Sequence, residues 1–165
     1  MLVTTLIRAY ATVGGKFASE PPRAQLDEAV EIARRIGDLW GVAHALNGLG
    51  DLLRELGQTA EARARYEESL ELFRQLDNRW MTAWTLEGLG TTCSLDGDHA
   101  AAREHLAAAI RLFDELGDRG DTVFMLRRLG RAARAAGDHV RAATLLGAFC
   151  RLEPQRRRAD PGGGR

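Results

Sequence analysis

The sequence predicts an all-α protein built from repeated helical hairpins, and two observations carry this prediction. First, a Leu-x-x-Leu-Gly segment occurs three times at a constant step of 40 residues, beginning at Leu46, Leu86 and Leu126. Second, apolar residues within each copy recur at every third or fourth position, which is the spacing of one face of an α-helix. A constant step across several copies indicates a repeat protein, in which each copy folds as the same small unit.

Each copy is expected to contain two helices separated by a turn. In the first copy, one apolar stripe runs from Val42 to Leu56 and a second runs from Ala62 to Leu76. Between the two stripes every copy has a glycine, which is followed by aspartate in the later copies: Gly57, Gly97-Asp98 and Gly137-Asp138. Glycine readily ends a helix in the left-handed conformation, and an aspartate after it caps the next helix. Each copy is therefore predicted to be a helix–turn–helix hairpin.

Another glycine recurs in the middle of each predicted first helix, at Gly50, Gly90 and Gly130. A glycine inside a helix costs about 1 kcal/mol relative to alanine, so its recurrence needs a structural reason. We expect the reason to be close approach of the paired helix, at the small residues Ala62, Ala102 and Ala142.

The pattern resembles the tetratricopeptide repeat: a Leu-Gly pair, a Gly-Asp turn, an alanine five residues after the turn glycine, and then Tyr66, Leu106 or Leu146. The resemblance covers residues 40–152, and each copy is about six residues longer than the usual unit, as in the long units of kinesin light chains. It implies a right-handed solenoid of antiparallel helix pairs. The chain departs from the family at Phe149, where a small residue is usual, and in lacking the proline that ends the second helix.

About four hairpins are expected, the first of them degenerate. Residues 1–38 are its span, because Tyr10 stands at the glycine offset and Pro21-Pro22 at the alanine offset, where they would start the second helix. Residues 39–78, 79–118 and 119–153 are the three regular repeats, and residues 154–165 are expected to form a disordered tail.

Composition and spacing argue against several classes of function. Basic and acidic residues are equal at 23 each, which does not favour direct contact with nucleic acid. No apolar run reaches the ~20 residues that cross a bilayer, so a cytoplasmic protein without membrane contact is expected. No catalytic, cofactor or metal constellation can be nominated, and we expect no enzymatic activity, no cofactor and no metal. His99 and His139 recur at one offset and are expected to lie exposed at the start of second helices.

The resemblance also implies a binding groove, lined by first-helix side chains that point away from the second helix. Transferring those offsets to this sequence gives His44, Asn47, Asp51 and Arg54, then Trp84, Glu87, Thr91 and Ser94, then Phe124, Arg127, Arg131 and Arg134. The spacing of the last three places their guanidinium groups on one helical face beside large aromatic residues. We expect a protein or peptide partner with carboxylates against the arginines and an apolar side chain near the aromatic residues. The alternatives are that the arginines are merely solvated, that Trp84 fills space between repeats, and that Asp51 and Glu87 neutralise the arginines.

An adaptor or regulatory sensor is the favoured function. The chain is similar to the C-terminal repeat arrays of large bacterial transcriptional regulators, and Arg141–Ala148 resembles the segment that often closes such arrays. Because neither a nucleotide-binding switch domain nor a helix-turn-helix motif is present, the similarity implies a fragment, a remnant or a companion of such a regulator. The alternative is a self-assembling scaffold, a homodimer through the ends of the array. The apolar residues expected at those ends are Leu2, Leu6, Ile7, Leu145, Phe149 and Leu152.

Overall fold

The computed structural model describes residues 23–159, which form seven α-helices and no strand. The helices are α1 (Arg23–Arg35), α2 (Leu39–Glu55), α3 (Thr59–Gln75), α4 (Arg79–Leu95), α5 (His99–Glu115), α6 (Arg119–Ala135) and α7 (His139–Ala159). The prediction of an all-α helical-repeat fold is confirmed.

Five of the six turns between the described helices contain a left-handed glycine, and four of these five add an aspartate that caps the next helix, as the sequence predicted. After α1, the backbone N–H of Asp38 donates to the carbonyl of Ala33 at 2.9 Å, and Gly37 adopts a left-handed φ of 71°. This is the Schellman ending, which satisfies carbonyls that the helix leaves open. The Asp38 carboxylate then accepts the backbone N–H of Gly41 at 2.9 Å and caps α2. The corresponding aspartates Asp98, Asp118 and Asp138 cap α5, α6 and α7 in the same way.

The turn between α3 and α4 departs from this design. Asp77 stands where the other turns have glycine, and it adopts a left-handed φ of 50°. A non-glycine residue there is strained, because its Cβ approaches the following carbonyl oxygen. Asn78 replaces the capping aspartate and accepts the backbone N–H of Met81 at 3.0 Å.

The chain divides into two compact units, Met1–Gly88 and Leu89–Arg165, with the boundary inside α4. In the first unit, α2 packs against both α1 and α3; in the second, α6 packs against both α5 and α7. Two contacts along the α2–α3 pair show the relative direction of these helices. The Ser69 hydroxyl donates to the carbonyl of Ala43, whereas Tyr66 contacts Gly50, so α2 and α3 run antiparallel.

Each unit has its own apolar core. In the first unit, α1 contributes Ala29 and Val30, and α2 contributes Leu46 and Leu49. In the second, Leu106 of α5 clusters with Leu129 and Ala132 of α6, and Ile110 and Leu145 pack against this cluster. The predicted stripes extend one residue too far in the first repeat. Leu56 and Leu76 are exposed, because each lies just beyond the last helical turn.

The mid-helix glycines do lie against the paired helix, but the residue they contact differs from the expectation. A Cβ on Gly50 would lie 2.7 Å from the Tyr66 ring, and one on Gly90 or Gly130 would lie 2.7 or 2.8 Å from the Cγ of Leu106 or Leu146. Of the alanines expected there, only Ala102 is among the nearest neighbours, through its carbonyl oxygen at 3.2 Å. Helical side chains lean toward the N-terminus of their helix, so the residue one turn later covers the glycine.

The end of the last repeat also requires a correction. The expected disordered tail begins at residue 154, whereas α7 continues to Ala159. Its sequence after the proline, Gln-Arg-Arg-Arg-Ala, consists of strong helix formers, which accounts for the extension. Residues 1–22 and 160–165 lie outside the described residues, and with them the degenerate first helix and Leu2, Leu6 and Ile7. Within residues 23–159, no helix is long and apolar enough to cross a membrane.

Candidate partner-binding site

Two of the expected groove residues on α2 are joined by a tyrosine from α3. The Tyr66 hydroxyl donates a hydrogen bond to the Asp51 carboxylate at 2.7 Å. Arg54 completes the triangle, because its guanidinium donates to Asp51 at 3.0 Å and to the Tyr66 oxygen at 3.2 Å. The charges of Asp51 and Arg54 are therefore largely balanced within the first unit.

Tyr66 is the centre of this arrangement. Its ring is fully buried, and it lies against Gly50 of α2 and Gly88 of α4, where an added Cβ would come within 2.7 and 2.6 Å of the ring. Burial, and then the nearby Asp51 carboxylate, raise the pKa of Tyr66 above its ordinary value of 10.0. The phenol consequently stays protonated at neutral pH and holds the Asp51 carboxylate in a fixed position.

The other two expected residues of α2 also make contacts inside the first unit. The Asn47 amide donates to the Thr85 hydroxyl on α4 at 2.8 Å, and that hydroxyl donates to the carbonyl of Met81 at 2.8 Å. The His44 ring is half-buried and tilted against Trp40, with the ring centroids 4.9 Å apart. Burial lowers the pKa of His44, and the Asp51 carboxylate only partly opposes this. His44 is therefore a neutral ring at neutral pH.

On α4, the expected residues of the first unit are Trp84 and Glu87. Trp84 is half-buried, and it meets the exposed Trp80 edge to face at a centroid distance of 5.8 Å. Glu87 is buried, with a relative exposure of 6%. The surface that the resemblance implied on this unit is thus composed mainly of side chains held by their neighbours.

The second unit contains an open groove between the end of α4 and α6, which we call the α4–α6 groove. Its lining combines hydroxyl groups, arginines and apolar side chains: Thr91, Ser94, Leu95, Leu106, Arg128, Arg131 and Ala132. Thr91, Ser94 and Arg131 were expected from the sequence, and the structure brings them together here. A groove of this composition can accept carboxylates at the guanidinium groups and an aliphatic side chain at the leucines.

Two arginines of α6 stack on aromatic rings. The guanidinium carbon of Arg127 lies 4.7 Å from the Phe124 ring centroid and 5.7 Å from that of Phe149 on α7. The guanidinium carbon of Arg128 lies 5.1 Å from the Phe124 centroid. These cation–π contacts fix the two arginines and account for Phe149, the large residue at a position where the family has a small one. Phe124 and Arg127 were expected to face a partner, and the contacts place them within the packing of the second unit.

Arg131 and Arg134 differ from their neighbours on α6. Both are exposed, and neither forms an ion pair with the side chains that the structure describes, those of residues 23–118 and 120–152. Arg131 lines the α4–α6 groove, whereas Arg134 lies one turn further along and does not line it. Their charges are therefore available to an acidic group from outside the described chain.

Sequence reasoning missed Arg128 and Leu95 as groove residues. A signal for Arg128 was present, because it occupies the repeat offset that holds Gly48 and Gly88 in the earlier copies. An arginine at a position otherwise kept small marks a place where the repeat opens. Leu95 follows the last residue transferred from the family pattern, and its offset holds Glu55 and Ala135 in the other copies. Nothing in the repeat pattern indicated it.

The matched family model decides how this arrangement of helices is classified. The model, described as tetratricopeptide repeat, matches residues 23–75 and 81–148. The chain belongs to the tetratricopeptide repeat family. The match supports the repeats predicted from residues 40–152 and extends upstream into α1.

A solved structure similar to this tetratricopeptide repeat protein is BtubC (BKLC) from P. vanneervenii. The TM-score is 0.70 at 20% sequence identity, and the match covers 93% of this chain and 73% of that chain. At this identity the likeness shows the fold alone. A search of curated proteins gives no match. Repeats of this family generally mediate protein–protein interactions, and residues 23–159 contain no group of three or more His, Cys, Asp or Glu placed to hold a metal ion.

Proposed function

We propose that this tetratricopeptide repeat protein is an adaptor or regulatory sensor that binds an acidic segment of a partner protein in the α4–α6 groove. The observation that carries the proposal is the composition of this groove. Arg131 reaches it without a counter-charge among the described side chains, and Leu95 and Leu106 line the same depression. Because a carboxylate paired with a guanidinium forms a charge-assisted hydrogen bond, an acidic segment gains both orientation and affinity there.

The proposed partner segment carries carboxylates spaced to meet Arg131 and Arg134, with an aliphatic residue between or beside them. Arg134 lies three residues beyond Arg131 on α6, so the two side chains lie on one side of the helix. Ser94, on the facing helix, supplies a hydroxyl group that can donate to a further carboxylate or to a backbone carbonyl. The residues expected in the groove on the first unit, such as His44, remain predicted contacts of the same partner.

A pull-down with matched variants tests this proposal. The intact chain and an Arg131→Glu/Arg134→Glu variant are used as baits in lysate of the organism that carries the gene. The control is Arg74→Glu/Arg111→Glu, which makes the same change in net charge at exposed arginines outside the groove. Arg74 matches Arg134, because each lies in the last turn of its helix.

We expect a protein that binds to the intact chain and to the control variant but does not bind to the Arg131→Glu/Arg134→Glu variant. Retention of the same proteins by all three baits would contradict it. The identity of the captured protein also tests a more specific role. We propose that this chain acts as part, remnant or companion of a larger bacterial transcriptional regulator. That role is supported by the similarity of Arg141–Ala148 to the segments that close the repeat arrays of such regulators.

Self-assembly is the second candidate, and it is favoured by apolar exposure on α7. Leu152 is 38% exposed, and Leu145 and Phe149, which lie on the same side of α7, are half-buried. A homodimer through α7 would cover these side chains. Light scattering over a hundredfold range of concentration tests this: a mass that doubles, and that returns to the monomer in a Leu152→Glu variant, supports the homodimer, and a constant monomer mass refutes it.

A further inference from the structure

The second unit contains a small cavity away from the α4–α6 groove, between the start of α5, the end of α6 and the start of α7. Its volume is about 110 Å³. Buried apolar side chains of α6 form its floor, namely Leu129, Ala132 and Ala133, and the exposed Ala100 and Ala136 lie at its mouth. We call it the α5–α7 cavity.

The cavity lies where the third repeat has small side chains and the first repeat has large ones. Ala132, Ala133 and Ala136 occupy the offsets that hold Leu52, Leu53 and Leu56 in the first repeat. In the first repeat Leu52 and Leu53 are buried. Replacing leucine by alanine at a core position ordinarily leaves a cavity and destabilises the protein by about 2–5 kcal/mol. Alanine at two of these core positions, Ala132 and Ala133, leaves a space that Leu52 and Leu53 fill in the first repeat.

Two arginines in the lining of the cavity have no counter-charge among the described residues. The Nδ1 atom of His99 is buried and has no hydrogen-bond partner among residues 23–159. Arg103 and Arg141 line the same cavity, and neither forms an ion pair with the described residues. Asp138 is the one acidic group in the lining, and its carboxylate already accepts the backbone N–H of Arg141 at 3.0 Å. The expectation that His99 is exposed is corrected: it is half-buried, and it faces this cavity.

From this combination we propose that the α5–α7 cavity binds a short branched aliphatic chain that ends in a carboxylate. The aliphatic part lies on Leu129 and the alanines, and the carboxylate lies at the mouth between Arg103 and Arg141, whose guanidinium groups donate to it. The size fits, since an apolar cavity of about 150 Å³ holds benzene and this one is smaller, which suits about four carbon atoms. Two sources carry this chemistry: a free branched-chain acid, and a leucine at the carboxyl terminus of a peptide.

The test is a titration of the whole chain, followed by two-dimensional NMR of its backbone amides. The probes are 4-methylpentanoate, N-acetyl-leucine and the neutral 4-methylpentanamide, which share one branched chain. The expected result is a saturable shift of amides around His99, Leu129 and Arg141 for the two acids, with a dissociation constant on the order of 1 mM, as suits so small a ligand. The amide is expected to bind at least fivefold more weakly.

Variants separate a binding site from a packing defect. Arg103→Gln/Arg141→Gln should weaken the acids at least fivefold, whereas Arg111→Gln/Arg151→Gln, which removes exposed arginines from the same two helices, should change nothing. Ala136→Leu restores the residue of the first repeat and should block binding while the fold is kept, as checked by circular dichroism.

Tighter binding of 4-methylpentanoate supports the proposal with a free acid as the natural ligand, and tighter binding of N-acetyl-leucine supports it with a peptide terminus. Shifts that rise linearly without saturation, or that are the same for the neutral amide, overturn it. The same holds if the double glutamine variant binds as well as the intact chain.

Discussion

The most informative perturbation of the fold is Gly90→Ala, compared with the same substitution at Gly147. Both glycines lie inside helices, so each substitution gains about 1 kcal/mol from the higher helix propensity of alanine. Their surroundings differ sharply. A Cβ at Gly90 would lie 2.7 Å from Cγ of Leu106 and 3.2 Å from the carbonyl oxygen of Ala102, whereas a Cβ at Gly147 would meet only the Arg151 guanidinium at 3.5 Å.

The magnitude follows from the difference between the two sites. Leu106 is buried and the Ala102 carbonyl belongs to the helix backbone, so neither moves away without disturbing the core. Overpacking of this kind costs about 1–3 kcal/mol. We expect Gly147→Ala to raise the free energy of unfolding by about 1 kcal/mol, and Gly90→Ala to leave it unchanged or to lower it by up to about 2 kcal/mol.

Urea unfolding followed by far-ultraviolet circular dichroism measures both variants against the parent chain. The difference between them should be about 1–3 kcal/mol, because the propensity gain cancels. Equal changes in the free energy of unfolding for Gly90→Ala and Gly147→Ala would show that the paired helix does not pack closely against Gly90. They would also refute close packing as the reason why the glycine recurs in each repeat.

Three further predictions concern single side chains of the first unit. Tyr66→Phe should lower the free energy of unfolding by about 1.5–3 kcal/mol, since it removes a hydrogen bond to the charged Asp51. The parent chain should also lose stability above about pH 10, because its unfolded form releases the phenol proton there and its folded form, with the raised pKa, retains it; Tyr66→Phe should abolish this loss. Asp77→Gly should raise the free energy of unfolding by about 0.5–2 kcal/mol because it relieves a left-handed φ, and a thermal melt that shows no increase would contradict the strain. His44→Gln should weaken the dependence of stability on pH below about 6.5, because burial lowers the pKa of His44 and the unfolded chain therefore takes up the proton first; an unchanged acid profile would refute this.

The parts of the fold that depend on local chemistry were predictable from the sequence. The turn glycines follow from backbone conformation, and the caps at Asp38 and Asp98 follow from a carboxylate that accepts the backbone N–H three residues later. Both are properties of a few consecutive residues, and they repeat with the sequence. The helix that Gly90 approaches was also predictable, but the residue was not, because side-chain direction decides which neighbour covers it.

The candidate sites were less predictable, for reasons that can be traced to particular residues. The expected groove on α2 assumed that Asp51 and Arg54 face outward, yet the hydroxyl of Tyr66 draws both into one hydrogen-bonded group. That contact depends on the rotamer of a buried ring from another helix, which the repeat pattern does not encode. The α5–α7 cavity has a sequence signal in Ala132 and Ala133, which stand where the first repeat has Leu52 and Leu53, but these offsets vary among the three copies and so do not form part of the periodic pattern.

The most direct test of the central claim, that the α4–α6 groove holds an acidic partner segment, is site-specific photo-cross-linking. Benzoylphenylalanine is placed at Ser94, which lines the groove, and in a matched protein at Arg111, which is exposed on α5 outside it. Each protein is irradiated in lysate, and the cross-linked peptide of the captured partner is sequenced by mass spectrometry. The account predicts capture from Ser94 and not from Arg111, with the cross-link next to aspartate or glutamate residues. Capture from Arg111 alone, or a Ser94 cross-link to a segment without acidic residues, would contradict it.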